Sequence, residues 1–346
     1  MKKVYIVTGA AGFIGYYTSR ALLEAGNTVI GADSVNTYYS PVLKEMRLGK
    51  LESLSRESGA EFLFYQGDIA DRGFVEQLLS RHPCDCFIHL AAQAGVRYSI
   101  DNPRAYGSSN LDGFLNVLEG VRHYKVPHLI FASSSSVYGL NRKVPFSERD
   151  FTEHPVSLYA ATKKANEVMA HSYSAVYGIP VTGVRFFTVY GPLGRPDMAY
   201  FKFAESIMQD RPIQIYNNGD LLRDFTYIDD VVKALLLIAG RPAKPFDGFD
   251  PENPLPDRSS VPYRIYNIGN AHPEKLMDFI GILEAQLEKT ARKEFLPMQA
   301  GDVYITSADT SALESDFGWK PSTSLETGLR QFTDWYKKER IWQLSL

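Results

Sequence analysis

Tyr159 and Lys163 enclose Ala160-Ala161-Thr162. On a helix, positions i and i+4 share one face, about 6 Å apart. A phenol and an ammonium so placed have a joint chemistry. The positive charge favours phenolate and draws the tyrosine pKa down from about 10. Such a tyrosine takes the proton of an alcohol while hydride leaves the same carbon. The spacing also occurs on solvated helix faces, so the surroundings must decide. Upstream, Ser133-Ser134-Ser135-Ser136 follows the apolar strand His128-Leu129-Ile130 and precedes Val137-Tyr138-Gly139. By itself this run could be a polar loop. In doubly wound sheets, however, ligands sit beyond the carboxyl ends of the strands, which places these hydroxyls where Tyr159 would face.

The amino terminus supplies the frame. Val4-Tyr5-Ile6-Val7 is an apolar strand, followed at once by Thr8-Gly9-Ala10-Ala11-Gly12-Phe13-Ile14-Gly15. Helical periodicity then runs through Ile14, Thr18, Ala21, Leu22 and Ala25 until Gly26-Asn27 stops it. A second strand, Thr28 to Ala32, ends in Asp33. Strand, glycine turn, helix, strand and terminal acid form a dinucleotide-binding unit. Gly9 permits the tight turn, Gly12 lets backbone approach a pyrophosphate, and Gly15 lets the helix pack on the sheet. The helix amino terminus offers N–H groups and positive potential to the phosphates. Asp33 is positioned to accept from ribose hydroxyls. No Arg or Lys follows it in Ser34-Val35-Asn36, which favours NAD over NADP.

Glycine turn, serine loop and Tyr-x-x-x-Lys, in this order, resemble the extended short-chain dehydrogenase/reductase superfamily, over nearly the whole chain. The second half resembles the UDP-glucuronate 4-epimerases more narrowly, through YAATKKANE (159–167), RFFTVYGPLGRPDMA (185–199), YNNGDLLRDFTYIDD (216–230) and PMQAGDVYITSAD (297–309). GVRYS (95–99) and NTYYS (36–40) also fit. The resemblance implies a doubly wound α/β Rossmann sheet with a smaller C-terminal substrate-binding lobe. It implies bound NAD, contacted by Gly9, Gly12, Phe13, Ile14, Gly15, Asp33, Asp68, Ile69, Leu90, Ala91, Ala92, Gln93, Tyr159, Lys163, Phe187 and Val189. Ser134 aligns with the serine or threonine of the catalytic triad, beside Tyr159 and Lys163.

The implied substrate is a UDP-hexuronic acid, inverted at carbon 4 through a 4-keto intermediate. That intermediate is a β-keto acid and loses carbon dioxide readily, so an epimerase must hold its carboxylate. Arg195 aligns with the family's carboxylate-binding arginine, whose fork can grip it bidentately; the alternative is a surface ion pair. Thr188, Ser135 and Ser136 are candidate sugar contacts. Arg97 reads equally as a substrate contact or a structural residue. Alignment places Arg223 on the diphosphate, Asp302 on the uridine ribose, and Gln214 and Tyr216 beside uracil. Many galactose-type relatives have an arginine where this chain has Gln299, so another group, for example Lys202, must compensate. Sugar-nucleotide dehydratases carry an Asp-Glu pair, and UDP-glucuronate decarboxylases a Glu, where Ser135 and Ser136 stand here. A neutral nucleotide-sugar 4-epimerase and a UDP-glucuronate decarboxylase are the alternative activities. A redox-sensing binding protein with this fold would usually lack the tyrosine or lysine.

The 346 residues are 45% hydrophobic, enough for one large core or two lobes. Strand–helix alternation suggests a Rossmann domain over 1–190, with later segments returning near 225–235 and 265–270. The remainder, 191–346, reads mainly as the substrate lobe, with a proline-rich surface loop from Arg241 to Val261. A net charge of −3 offers no case for nucleic acid or an anionic membrane. No apolar run is long enough to span a bilayer, and Met1-Lys2-Lys3 leads into a core strand rather than a signal peptide. The scattered histidines suggest no metal. Cys84 and Cys86 read as free thiols in a reducing cytoplasm. By resemblance, the helices expected over 103–124 and 157–177 pair across a homodimer axis.

Overall fold

The computed structural model describes residues 2–298 and 303–344. Among them the strands are β1 (Val4–Thr8), β2 (Thr28–Asp33), β3 (Phe62–Gln66), β4 (Cys86–His89), β5 (Leu129–Ser134), β6 (Val181–Phe186), β7 (Thr188–Tyr190), β8 (Pro212–Ile215), β9 (Leu222–Tyr227), β10 (Tyr263–Ile268), β11 (Pro273–Lys275) and β12 (Arg292–Phe295). The helices that matter for the site are α1 (Phe13–Glu24), α2 (Val42–Ser58), α3 (Arg72–Arg81), α4 (Tyr98–Asp101), α5 (Pro103–Tyr106), α6 (Gly113–His123), α7 (Leu158–Tyr177) and α8 (Ala199–Met208).

Seven strands form one sheet in the order β10-β6-β5-β4-β1-β2-β3, with every pair parallel. This is the expected doubly wound Rossmann sheet. Its strands are apolar runs because both faces are covered: every residue of β4, β6 and β10 is buried. Alternate side chains serve opposite faces. Tyr5, Val7, Ile88, Ile130 and Val184 join one cluster with α1 and α2. Ile6, Phe87, Leu129, Phe131 and Ile265 join the other, with α3, α6 and α7. The first cluster runs on without a break into the C-terminal half, through Phe201, Phe225, Phe279 and Phe332.

The winding reverses between β1 and β4. A crevice opens there beyond the carboxyl ends of the strands, where ligands bind in such sheets. Thr8 Oγ1 ties the two strand ends together, meeting His89 Nδ1 at 2.9 Å and accepting the Ala91 N–H at 3.3 Å.

The structure refines two local expectations. The helix expected over 103–124 runs from Pro103 to His123 but widens into a π-helical turn over Gly107–Asp112, between α5 and α6. The wider turn carries Asn110, which is buried and bonds Gln93 N, Gln93 O and Thr162 Oγ1. Segment 225–228 does not return to the large sheet. β9 pairs with β7 and β11 in a separate three-stranded sheet, whereas β10 does join the edge of the large one. Arg47 on α2 is fully buried, for reasons given below.

A candidate active site at the switch point

One cavity of about 1200 Å³ fills the crevice. Single-ligand pockets span roughly 300–1,000 Å³, so this one has room for two nucleotides. Its inner wall is the glycine turn. Gly9 has φ +73°, and a Cβ there would stand 2.8 Å from Ala91 N. A Cβ on Gly15 would lie 2.0 Å from Gly9 O, so only glycine lets α1 seat on the turn. Gly12 caps α1 without any side-chain hydrogen bond, and no acid sits in the first turn. The helix end therefore keeps its N–H groups and positive potential for an anion. Asp33 is pinned at the tip of β2 by Ala11 N–H (3.1 Å) and Val35 N–H (2.8 Å). These features fit a dinucleotide. Phe13, Ile14, Asp68, Ile69, Leu90, Ala91, Ala92 and Gln93 line the same cavity, as do Phe187 and Val189.

Residues 34–36 hold no cation, but α2 brings Lys44 into the cavity wall, close enough for its charge to feel Asp33. Its Nζ is held by Asn36 O (2.7 Å) and Asn36 Oδ1 (2.9 Å). Burial lowers the Lys44 pKa.

The deep end holds Ser134, Tyr159 and Lys163. Ser157 caps α7 by accepting the Ala160 N–H at 3.1 Å, so the helix begins just before Tyr159 and points its first turn at the crevice. Burial raises the Tyr159 pKa; a hydrogen bond with Ser134 and the charge of Arg195 pull it back only in part. Lys163 lies one turn further along the same helix. Its Nζ donates to Ala132 O at 2.9 Å, and burial brings its pKa down to about 8. Ser134 Oγ accepts the Ser136 N–H and donates to Ser136 Oγ, both at 3.2 Å.

The outer wall carries the candidate substrate residues. Arg97, Ser135, Ser136, Thr188, Arg195, Gln214 and Tyr216 line the large cavity. Arg97 stacks its guanidinium 4.9 Å above the Tyr216 ring, and Tyr216 Oη donates to Gln214 Oε1 at 3.0 Å. Lys202 lines this cavity too. Arg223 does not. It faces a smaller adjoining cavity with Ser135, Ser136, Thr188 and Thr306, and donates to Leu222 O and Tyr304 O. Asp302, like Gln299, lies outside the described residues. Arg195 is both in the cavity and ion-paired, with Nε and Nη2 on Asp197 at 3.0 and 2.5 Å.

Sequence reading passed over the groups that hold this wall. Arg47, fully buried, donates to Ala11 O in the glycine turn and to Leu193 O and Gly194 O just before Arg195, at 2.8, 3.0 and 2.9 Å. It staples the glycine turn to the loop that carries Arg195. Glu167, two turns beyond Tyr159, binds Arg185 bidentately at 2.8 Å for each contact and accepts from Ser133 Oγ at 2.6 Å. Burial pushes the Glu167 carboxyl up, but Arg185 and Ser133 outweigh it and leave it low. The available signals were charged residues inside an apolar strand, Arg185, and at i+8 from Tyr159.

A family model described as "NAD dependent epimerase/dehydratase family" matches residues 5–269. The chain belongs to this family. It is 48% identical to Protein CapI of Staphylococcus aureus, over 96% of this chain and 97% of that one. It is 46% identical to UDP-glucuronate 4-epimerase 1 of Arabidopsis thaliana, over 96% of this chain and 76% of the relative. Among solved structures it resembles the UDP-glucuronic acid 4-epimerase of Bacillus cereus in complex with UDP-glucuronic acid and NAD. There the TM-score is 0.84 at 32% identity, covering 97% of this chain and 99% of that one.

Two outcomes follow from the geometry. Asp33→Ala should weaken NAD binding about 10- to 100-fold, the worth of charge-assisted hydrogen bonds; titration calorimetry with unchanged affinity would remove Asp33 from the ribose. Glu167→Ala leaves Arg185 buried and unpaired, and should cost about 3–5 kcal/mol in urea unfolding.

Proposed function

We propose that this protein inverts carbon 4 of UDP-glucuronate to give UDP-galacturonate, with NAD held as a permanent cofactor. The observation that carries the reading is the meeting, in one cavity, of a dinucleotide cradle, the Tyr159–Ser134 pair and the Arg195 fork. When bound, the oxidised nicotinamide would take up the hydride of carbon 4 and give it back to the other face of the ketone. Tyr159 accepts the proton of the 4-hydroxyl. That transfer opposes the effect of burial on the phenol, so each group that favours phenolate contributes to rate. Ser134 orients the hydroxyl and Arg195 adds positive charge. Lys163, with one N–H on Ala132 O, keeps further donors for the nicotinamide ribose. The ketone then turns to present its other face, and Tyr159 returns the proton. Net oxidation is zero.

Arg195 favours a uronate over a neutral sugar, since a buried guanidinium edge discriminates for a carboxylate. Ser135 and Ser136 supply hydroxyls at the positions where a dehydratase or decarboxylase places carboxylates, which supports epimerisation over both.

A homodimer is part of the same reading. Leu115 on α6 and Val168 and Val176 on α7 are 42%, 58% and 68% exposed, an apolar face that pairing of these helices would cover. Cys84 and Cys86 are both free, in keeping with a cytoplasmic setting. No helix among the described residues is long and apolar enough to cross a membrane, and no metal-binding cluster is found among them.

The purified protein, given UDP-glucuronate and no added cofactor, should yield UDP-galacturonate by NMR. Tyr159→Phe should keep its NAD and lose about 10²- to 10⁴-fold in turnover. A Tyr159→Phe enzyme at wild-type rate would refute the proton-transfer role.

A further inference from the structure

Asp197 is two residues beyond Arg195, and its carboxylate takes one whole edge of the guanidinium: Nε on Oδ1 and Nη2 on Oδ2. The pair is partly enclosed, each side chain 24% exposed. Burial alone would push the Asp197 carboxyl up and the Arg195 guanidinium down; their mutual attraction reverses both, so the pair stays ionised. From the opposite lobe, Tyr38 Oη donates to Asp197 Oδ2 at 3.2 Å. Tyr38 is itself wedged by the Tyr98 ring, with centroids 4.8 Å apart. All three side chains line the large cavity.

A guanidinium has five N–H groups in a rigid plane. With the Nε/Nη2 edge taken, the Nη1/Nη2 edge is what remains for a second carboxylate. We propose that Asp197, held by Tyr38, is a positioning residue: it fixes the plane of the Arg195 fork and dictates which edge a substrate carboxylate meets. This rests on the uronate reading above.

The chemical use of such a fixed plane lies in the 4-keto stage. There the bond between carbon 5 and the carboxylate can break, releasing carbon dioxide and leaving the electron pair as the enolate of the ketone; a proton at carbon 5 then gives the 4-keto-pentose, and return of the hydride taken from carbon 4 would give UDP-pentose. The bond breaks readily only when it aligns with the ketone π system. An arginine free to swing would let the carboxylate sample that alignment, and one clamped by Asp197 would not. Nothing in this argument requires Asp197 to touch the sugar.

Ground-state affinity is a poor readout of this role. Removing Asp197 frees a positive charge for the ligand and also frees the fork to turn, and these act with opposite sign. Product partition responds only to the loss of orientation. Asp197→Ala, Asp197→Asn and Tyr38→Phe would be compared with the wild type for the ratio of UDP-pentose to epimerised UDP-uronate, by NMR. NAD content and melting temperature would be measured on the same samples. Asp197→Asn turns one acceptor into a donor facing Nη2, so it disturbs the fork while keeping size. The expected result is an UDP-pentose fraction raised at least about tenfold in Asp197→Ala, the scale of a misplaced reacting group. A several-fold rise in Asp197→Asn and a smaller one in Tyr38→Phe should accompany it, with NAD content retained. A wild-type partition in NAD-loaded Asp197→Asn would overturn the proposal whether or not the alanine variant folds. A wild-type protein inert toward UDP-glucuronate would instead sink the uronate reading itself.

Discussion

At the switch point backbone packs directly against backbone. Gly9 lies against Leu90 and Ala91, and Gly15 lies against Gly9, with no room for a methyl group at either. This contact sets how far α1 sits from β4, and so how wide the crevice opens. Overpacking of even one carbon typically costs 1–3 kcal/mol, and here it would also move the end of α1 away from its anion. The strands on both sides follow from that spacing, because β1 pairs in parallel with β2 on one flank and β4 on the other.

Around this seam the protein buries charge, which is costly unless every group finds a partner. Three solutions appear. Arg185 inside β6 is neutralised by Glu167, which also holds Ser133 beside Ser134. Tyr138 extends the network by accepting from Arg185 Nη1 and donating to Asn267 Oδ1. Arg47 is satisfied by carbonyls and the Tyr39 hydroxyl. Arg195 has Asp197 on one edge only. The first two close their arginines within the scaffold; the third leaves donors facing the cavity. That difference separates the structural arginines from the one suited to a ligand.

Much of the site was legible in sequence because its parts are local. A glycine turn, a strand-end acid and a Tyr-x-x-x-Lys helix each need only a few consecutive residues to define their geometry. Gly9, Gly12, Gly15, Asp33, Ser134, Tyr159 and Lys163 accordingly share one cavity. What was illegible came from distant segments. Lys44 reaches the Asp33 neighbourhood from another helix, and Tyr38 meets Asp197 across 159 positions of chain. The π-helical turn that buries Asn110 has no periodicity by which to foresee it.

The sequence by itself determined the parallel sheet, through strands apolar on both faces, and the dinucleotide turn, through glycines that nothing larger could replace. It also determined which hydroxyl and which amine share a helix face. Only the tertiary structure decided what acts on them. It set Lys163 against a backbone carbonyl, brought Ser134 and Arg195 to the buried Tyr159, and paired Arg195 with Asp197. Pattern reports which side chains are available, whereas charge and burial act through space and depend on neighbours that folding alone brings near.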